Sequence, residues 1–260
     1  MHKYLILGGT GTTGRRIADR LRSAGHDVRT AARTGADVHL DLDDPATWDL
    51  DGITAAYLME PTIRPGGRLA RFAETALAAG VRRLVLLSAS RASDPNHPLH
   101  TAEQAVRNAE EWTILHPNWF AQNFSEGPWR AAVRAGELAL PAGDGRTPFV
   151  DADDIADVAV AALTTTDHHG RTYELTGPEA ISFTEAAKHI SEAGRPVEYV
   201  AIEPAAYVEQ QVAQGVPRSG AELLAAILGA LDSEPTTDVQ QALDRPARSF
   251  KTFVRNTHWG

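Results

Sequence analysis

The chain has 260 residues, 43% of them hydrophobic, enough for one sizeable core or a core with a smaller appended part. The absence of cysteine excludes thiol nucleophiles, thiolate metal sites and disulfides, and a formal charge of −9 argues against a nucleic-acid surface, which needs clustered Lys and Arg. No apolar run reaches the roughly 18 residues of a membrane span, the nearest being "LLAAILGAL" at 223–231.

The first segment, "MHKYLILGG", has no room for a charged leader followed by a cleavable apolar stretch, so a soluble cytoplasmic protein is expected. Within it "YLIL" (4–7) reads as a buried strand, followed by "GGTGTTGRRIADRL". Gly8, Gly11 and Gly14 stand between that strand and a helical pattern. In this context the first glycine permits a tight turn, the second admits a pyrophosphate against backbone N–H groups, and the third lets helix and strand pack closely. Thr10, Thr12 and Thr13 add hydroxyl donors beside them.

The next strand, "VRTA" (28–31), decides between coenzymes. A site for NAD usually places an acid about 20 residues past the glycines, on the ribose hydroxyls. No Asp or Glu stands between Val28 and Gly35, and Arg33 is placed to fork onto a 2′-phosphate, so NADP (NADPH) is the expected cofactor. Asp41, after the strand "DVHL" (37–40), is a candidate acceptor for the adenine amino group.

"AAYLM" (55–59), "RLVLLS" (83–88) and "WTILH" (112–116) are further apolar strands. Between the first two, "GGRLARFAETALAAG" puts Leu69, Phe72, Ala73, Ala76 and Leu77 on one helix face, with Gly80 as its stop. Such alternation predicts an α/β fold, a doubly wound parallel sheet of the Rossmann kind with right-handed crossovers. After about residue 165 only "YELT" (173–176) and "VEYVAI" (197–202) read as strands, among helices; Ser182-Phe-Thr-Glu185 and Ser219-Gly-Ala-Glu222 match the capping box. A dinucleotide-binding core over 1–165 and a smaller, mainly helical substrate-side portion over 166–260 are expected.

Many enzymes on this fold protonate their substrate with a Tyr four residues before a Lys. Here the residues four beyond Tyr4, Tyr57, Tyr173, Tyr199 and Tyr207 are Gly8, Pro61, Gly177, Glu203 and Gln211, and Lys occurs only at 3, 188 and 251. Hydride transfer must use another acid or none. Segment 88–124 follows a strand end that should border the reacting ring, and it carries Ser88, His97, His100 and Glu103. Ser88 and His100 are the catalytic candidates; the alternative is that His100 is one loop histidine among ten. Glu103 is expected to fix its helix by hydrogen bonding. No metal-ligand spacing such as HExxH occurs, and no metal is expected.

Over almost its full length the chain resembles the NmrA-like group of atypical short-chain dehydrogenase/reductases. Within that group it is most similar to the branch of ergot-alkaloid-type reductases (festuclavine and agroclavine dehydrogenase-like). The resemblance rests on "GGTGTTGRRIADRL", "LLSAS", "WTILHPNWFAQNF", "PFVDADDIADVAVAAL", "YELTGPEAISFTEAA" and "RPARSF". It implies that Gly8, Gly11 and Gly14 bind pyrophosphate and Arg33 the 2′-phosphate, and that Leu58, Met59, Glu60, Pro61 and Ser88 line the ribose and nicotinamide side. Pro117, Asn118 and Phe120 would border the nicotinamide, with Trp119, Phe120, Asn123, Phe124 and Trp129 toward a small-molecule substrate. Asp151 or Asp153 would cap the helix in "FVDADDIADVAVAAL". Two departures stand out: His116 replaces the arginine of a usual Leu-Arg-Pro, and the preceding helix is one residue short near Ala109 and Glu110.

The implied activity is NADPH-dependent reduction of an imine, iminium or conjugated double bond in a small, specialised metabolite. An iminium carbon already carries the charge that a ketone must develop, so its reduction dispenses with the acid catalysis the missing Tyr–Lys pair would supply. The aromatic group Trp119, Phe120, Phe124 and Trp129 offers faces to such a cation, with core packing the alternative for at least two of the four. A non-catalytic NADP-sensing regulator and a non-redox cyclase or isomerase on the same fold are the competing readings.

Overall fold

The computed structural model describes residues 2–62 and 66–259. Two compact units make up the chain, and each is assembled from separate stretches of sequence. One comprises Met1–Asn118, Ala152–Leu175 and Thr237–Pro246, the other Trp119–Asp151, Thr176–Thr236 and Ala247–Gly260. A single boundary at 165 therefore differs from this grouping: 119–151 falls in the second unit, while 166–175 and 237–246 fall in the first.

The first unit holds the predicted strands: β1 (Lys3–Leu7), β2 (Asp27–Ala32), β3 (Val38–His39), β4 (Ala55–Met59), β5 (Arg83–Leu87) and β6 (Glu111–Pro117). Two short strands of the other unit, β7 (Glu137–Leu140) and β8 (Arg146–Thr147), intervene before β9 (Arg171–Leu175) completes this sheet. All neighbours in it run parallel, in the order β3-β2-β1-β4-β5-β6-β9. This is the doubly wound α/β arrangement, and the order reverses between β1 and β4, the point where such sheets open a crevice. Among the described residues five helices belong to it: α1 (Thr12–Ser23), α2 (Arg68–Ala78), α3 (His100–Val106), then, after α4 (Arg130–Ala135) of the other unit, α5 (Ala152–Thr164), and later α9 (Asp238–Leu243). The strands are apolar on consecutive residues because both faces are covered: Leu5, Leu58, Phe72, Leu84, Leu86 and Ile114 share one buried cluster. Polar bridges bind the helices on another face. Arg20 of α1 donates to Asp153 and Asp157 of α5 at 2.5 and 2.6 Å, and Arg245 reaches Asp154 and Asp157. Asp153 thus lies in the first turn of α5 facing α1, not at its cap as one alternative had it.

The second unit has an aromatic core in which Phe124 and Phe183 are fully buried and Phe149, Trp129 and Phe250 nearly so. Its short strands are β7, β8, β10 (Ile181–Ser182) and β11 (Glu198–Ala201); β11 pairs parallel with β7, and β10 antiparallel with β8. Its helices, besides α4, are α6 (Phe183–Glu192), α7 (Pro204–Ala213), α8 (Arg218–Gly229) and α10 (Phe250–Asn256). Ser182 and Glu185 form the predicted capping box of α6. The second capping expectation is corrected: α8 already begins at Arg218 behind an extended Pro217, so Ser219 lies inside the first turn rather than at the cap. Among the described residues no helix is long and apolar enough to cross a membrane.

Candidate functional site

The loop after β1 is fixed by backbone bonds and by missing side chains. Gly8, at φ 68°, donates to Ala31 O at 2.8 Å, and Gly11 N–H turns back to Gly8 O at 2.8 Å. A Cβ on Gly8 would lie 2.7 Å from Met59 Sδ, and one on Gly14 only 2.2 Å from Gly8 O. Gly11 is the N-cap of α1, which has neither a side-chain cap nor an acid in its first turn. The orphan N–H groups and positive dipole end of this helix suit an anion.

The hydroxyl of Thr13 points elsewhere. It accepts a 2.9 Å hydrogen bond from Tyr57 Oη inside the core, where Thr13 is 4% exposed. Burial pushes the Tyr57 phenol well above its usual range despite that bond. Thr13 therefore ties α1 to β4 and is corrected from a ligand donor to a structural residue, whereas Thr10 is exposed and Thr12 half-buried.

A cavity of about 240 Å³ opens beside the glycine loop, lined among others by Gly8, Gly11, Arg33, Asp41, Met59 and Arg68. Thr10 and Pro61 also border it. Seven residues assigned to the coenzyme from sequence thus converge on one space. Among the others, which do not line it, Leu58 is fully buried in the β4 core, because alternate residues of a strand face opposite sides, and the Glu60 side chain is 1% exposed and already paired.

The two cations of the cavity differ in kind. Arg68 donates to Glu60 Oε1 at 2.5 Å and to Asp43 at 2.5 Å, and the hydrogen bond to Glu60 leads in raising its pKa further. Arg33 has no acidic partner among the described residues; its carbonyl alone is engaged, by His39 Nδ1 at 2.9 Å. Asp37, the first acid after Gly35, is committed as well. It accepts from Thr30 N–H and Oγ at 2.8 Å each and pairs with Arg22, and these contacts, the Thr30 backbone bond first, hold its carboxyl below the usual range. Asp41 Oδ1 accepts from Asp43 N–H at 2.9 Å, which orients its carboxylate at the cavity wall. Arg68 escaped the sequence reading because an arginine at a helix start looks like a solvated charge.

A second group gathers at the carboxyl ends of β5, β6 and β9. Ser88 Oγ donates to Glu103 Oε1 at 2.7 Å, and His116 Nε2 approaches the same oxygen at 2.6 Å. His116 Nδ1 lies 2.6 Å from Glu174 Oε1, whose other oxygen takes Ser90 Oγ–H at 2.6 Å. The sheet register makes this pair: His116 and Glu174 are directly opposite on β6 and β9. Burial alone would lower the imidazole pKa, but the bonds to Glu103 and Glu174 override it and push it up to about 9. Burial works against the two carboxylates, yet His116, with Ser88 on one and Ser90 on the other, holds both below their usual range. Glu103 thus ties α3 to the strand ends with one oxygen, while its other oxygen takes Arg107 one turn further along its own helix at 3.3 Å. His100 lies apart from this group, half-buried with Nδ1 3.2 Å from Ala92 O. Burial leads in lowering the pKa of His97. Pro117 closes β6, and Asn118 N–H continues the ladder to Leu175 O at 2.9 Å.

In the second unit, Phe124 and Trp129 are corrected from substrate-facing aromatics to core: they are 0% and 5% exposed and meet at 4.9 Å between ring centres. Trp119 is half-buried and stacks on Trp129 at 5.3 Å. Phe120 and Asn123 are half-buried, with Asn123 N–H donating to Phe120 O at 3.0 Å. Asp151, the residue before α5, accepts from Gln122 Nε2 at 2.7 Å.

No family model matches the chain. It is 36% identical over 266 residues to the oxidoreductase YesF of Bacillus subtilis (strain 168), covering 96% of this chain and 93% of that one. It is 30% identical to the festuclavine dehydrogenase of Aspergillus fumigatus, over 98% of this chain and 90% of that protein. The solved triphenylmethane reductase of Citrobacter sp., complexed with NADP(H), shares its fold at a TM-score of 0.73 and 22% identity, covering 97% and 99% of the two chains.

Proposed function

Because the chain belongs to the NmrA-like atypical short-chain dehydrogenase/reductases, we propose that it is an NADPH-dependent reductase delivering hydride to an imine, iminium or conjugated double bond of a small metabolite. One observation carries the coenzyme half of this reading: Arg33, without an acidic partner among the described residues, shares a cavity with Gly8 and Gly11 of the anion-ready helix start. In it the helix start holds the pyrophosphate, Arg33 forks onto the 2′-phosphate, and Asp41 meets the adenine amino group. Asp37 gives one carboxylate oxygen to Thr30 and Arg22 and does not line the cavity, so it is not assigned the role of a ribose-binding acid. Ser88 and Pro117, at the carboxyl ends of their strands, face the nicotinamide end.

The reduced coenzyme supplies the hydride. What the residues do is position and balance charge. Addition of hydride to an iminium carbon gives a neutral amine with no proton to deliver, which suits a chain without the Tyr–Lys pair; reduction of a neutral imine or of a conjugated C=C bond takes up one further proton, from solvent or substrate. Binding titrations with NADPH and NADH, followed by coenzyme oxidation with cyclic iminium and enone acceptors, test the reading. NADPH is expected to bind more tightly and to be consumed with at least one acceptor class. Equal affinities would remove the coenzyme assignment, and tight NADPH binding without turnover would favour a sensor.

A further inference from the structure

The Glu174–His116–Glu103–Ser88 chain lies outside the cavity at the glycine loop and is buried where it matters: Ser88 is 7%, Glu103 1% and His116 5% exposed. Each ring nitrogen of His116 has a carboxylate oxygen at 2.6 Å. Ionised carboxylates only accept, so a neutral imidazole, with one N–H, would set a nitrogen lone pair against one of them. Glu103 is held as the acceptor, because Ser88 Oγ and Arg107 Nη2 both donate to it, the latter at 3.3 Å, and its carboxyl lies below the usual range. The arrangement is satisfied when the ring is an imidazolium.

A consequence reaches Ser88. With Glu103 fixed by His116, the Ser88 hydroxyl proton is directed inward, and what remains of the oxygen is two lone pairs. We propose that His116 is a positioning residue that makes Ser88 a hydrogen-bond acceptor at the carboxyl end of β5, selecting a ligand group that donates an N–H, either the carboxamide of the coenzyme or an N–H of the reducible substrate. This rests on the reductase reading. The groups that face the ring are Glu103 of α3 and Glu174 of β9; around them stand Ser88, Ser90 and Arg107, with His97 and His100 on the preceding segment and Asp238 of α9, which accepts Glu174 N–H at 2.7 Å. When the ring loses its second proton at high pH, one carboxylate loses its donor and Ser88 loses its fixed orientation.

The test compares the unmutated chain with Ser88→Ala, His116→Gln and His116→Arg, the last a permanent cation with several donors. Affinity is measured for NADP⁺ and for its 3-acetylpyridine analogue, whose methyl ketone has no N–H, and KM for an N–H imine is measured beside its N-methyl counterpart. Ser88→Ala and His116→Gln are expected to lose roughly tenfold on the N–H member of one pair and to leave the other member within about twofold, the size of one hydrogen bond. Loss on the coenzyme pair assigns the carboxamide, and loss on the imine pair assigns the substrate. His116→Arg is expected to retain the discrimination and to carry it above pH 9, where the unmutated chain loses it. Nitrogen-15 histidine NMR reads the ring directly, and both nitrogens are expected to stay protonated at pH 7.5.

A neutral His116 tautomer at pH 7.5, or equal losses on both members of each pair, overturns the proposal while leaving the reductase reading intact. Failure of the unmutated chain to bind any NADP(H) overturns that reading and the proposal with it. Should His116→Gln not fold, Ser88→Ala and the pH profile of the unmutated chain still decide.

Discussion

Gly14 abuts the carbonyl of Gly8: a Cβ at Gly14 would lie 2.2 Å from that oxygen and 2.7 Å from its carbon. Both contacts are backbone, so no side chain can swing aside. Gly14→Ala is expected to destabilise the chain by about 1–3 kcal/mol, as overpacking does. Gly11→Ala, whose Cβ would stand 3.2 Å from the same oxygen, needs only a few tenths of an ångström of movement. Thermal unfolding of the two variants should rank Gly14→Ala well below Gly11→Ala, and the reverse order would refute the close-packing role.

Arg33→Ala should weaken NADPH binding by roughly 10- to 100-fold, the range of a hydrogen bond to a charged group, and leave NADH nearly untouched. Fluorescence titration with both coenzymes measures this. The opposite partner choice, Arg68, is expected to show no such selectivity, since Glu60 and Asp43 already compensate its charge.

Removing Arg68 has a different cost. Glu60 is 1% exposed at the side chain, so Arg68→Met leaves a buried carboxylate with only the Thr62 N–H and hydroxyl as donors and should cost about 1–3 kcal/mol. Glu60→Gln combined with Arg68→Met should recover a large part of that loss, because the stranded charge is gone. Chemical denaturation of the two single variants and the double variant gives the coupling, and strict additivity would argue against the pair.

Stability should depend on pH through His116. An unfolded histidine titrates near 6.5, whereas Glu103 and Glu174 push the folded one up to about 9. A raised folded pKa means that the stabilisation is complete below about pH 6.5, falls as pH rises from there, and is gone once pH passes about 9. The full effect is up to about 3 kcal/mol for this buried ring. Denaturation midpoints measured from pH 7 to pH 10 should fall accordingly for the unmutated chain, and that fall should be absent from His116→Gln.

Local chemistry was legible in the sequence, and long-range registry was not. The glycine spacing, the missing acid before Gly35 and the placement of Arg33 and Asp41 depend on residues near one another in the chain, and they converge on one cavity. His116 was noticed as a departure, but its meaning depends on Glu174, 58 residues away, and only the pairing of β6 with β9 sets them opposite. The pairing of β11 with β7 was hidden for the same reason. Aromatic residues carry no label for core or pocket. Phe124 and Trp129 pack against Phe149 and Phe183, partners 20 or more residues away in the chain, so only the tertiary fold marks them as core. Ser219 had the right spacing for a cap, but the helix starts two residues earlier, at Arg218 behind Pro217.

The aromatic core of the second unit includes Phe250, whose ring centre lies 5.3 Å from that of Phe124 and 5.4 Å from that of Phe149. During synthesis on the ribosome, Phe124 and Phe149 emerge about a hundred residues before this partner, too early to complete their packing. The nascent second unit must therefore carry uncovered aromatic surface until Phe250 has emerged, while β1 to β6 of the first unit can pair long before.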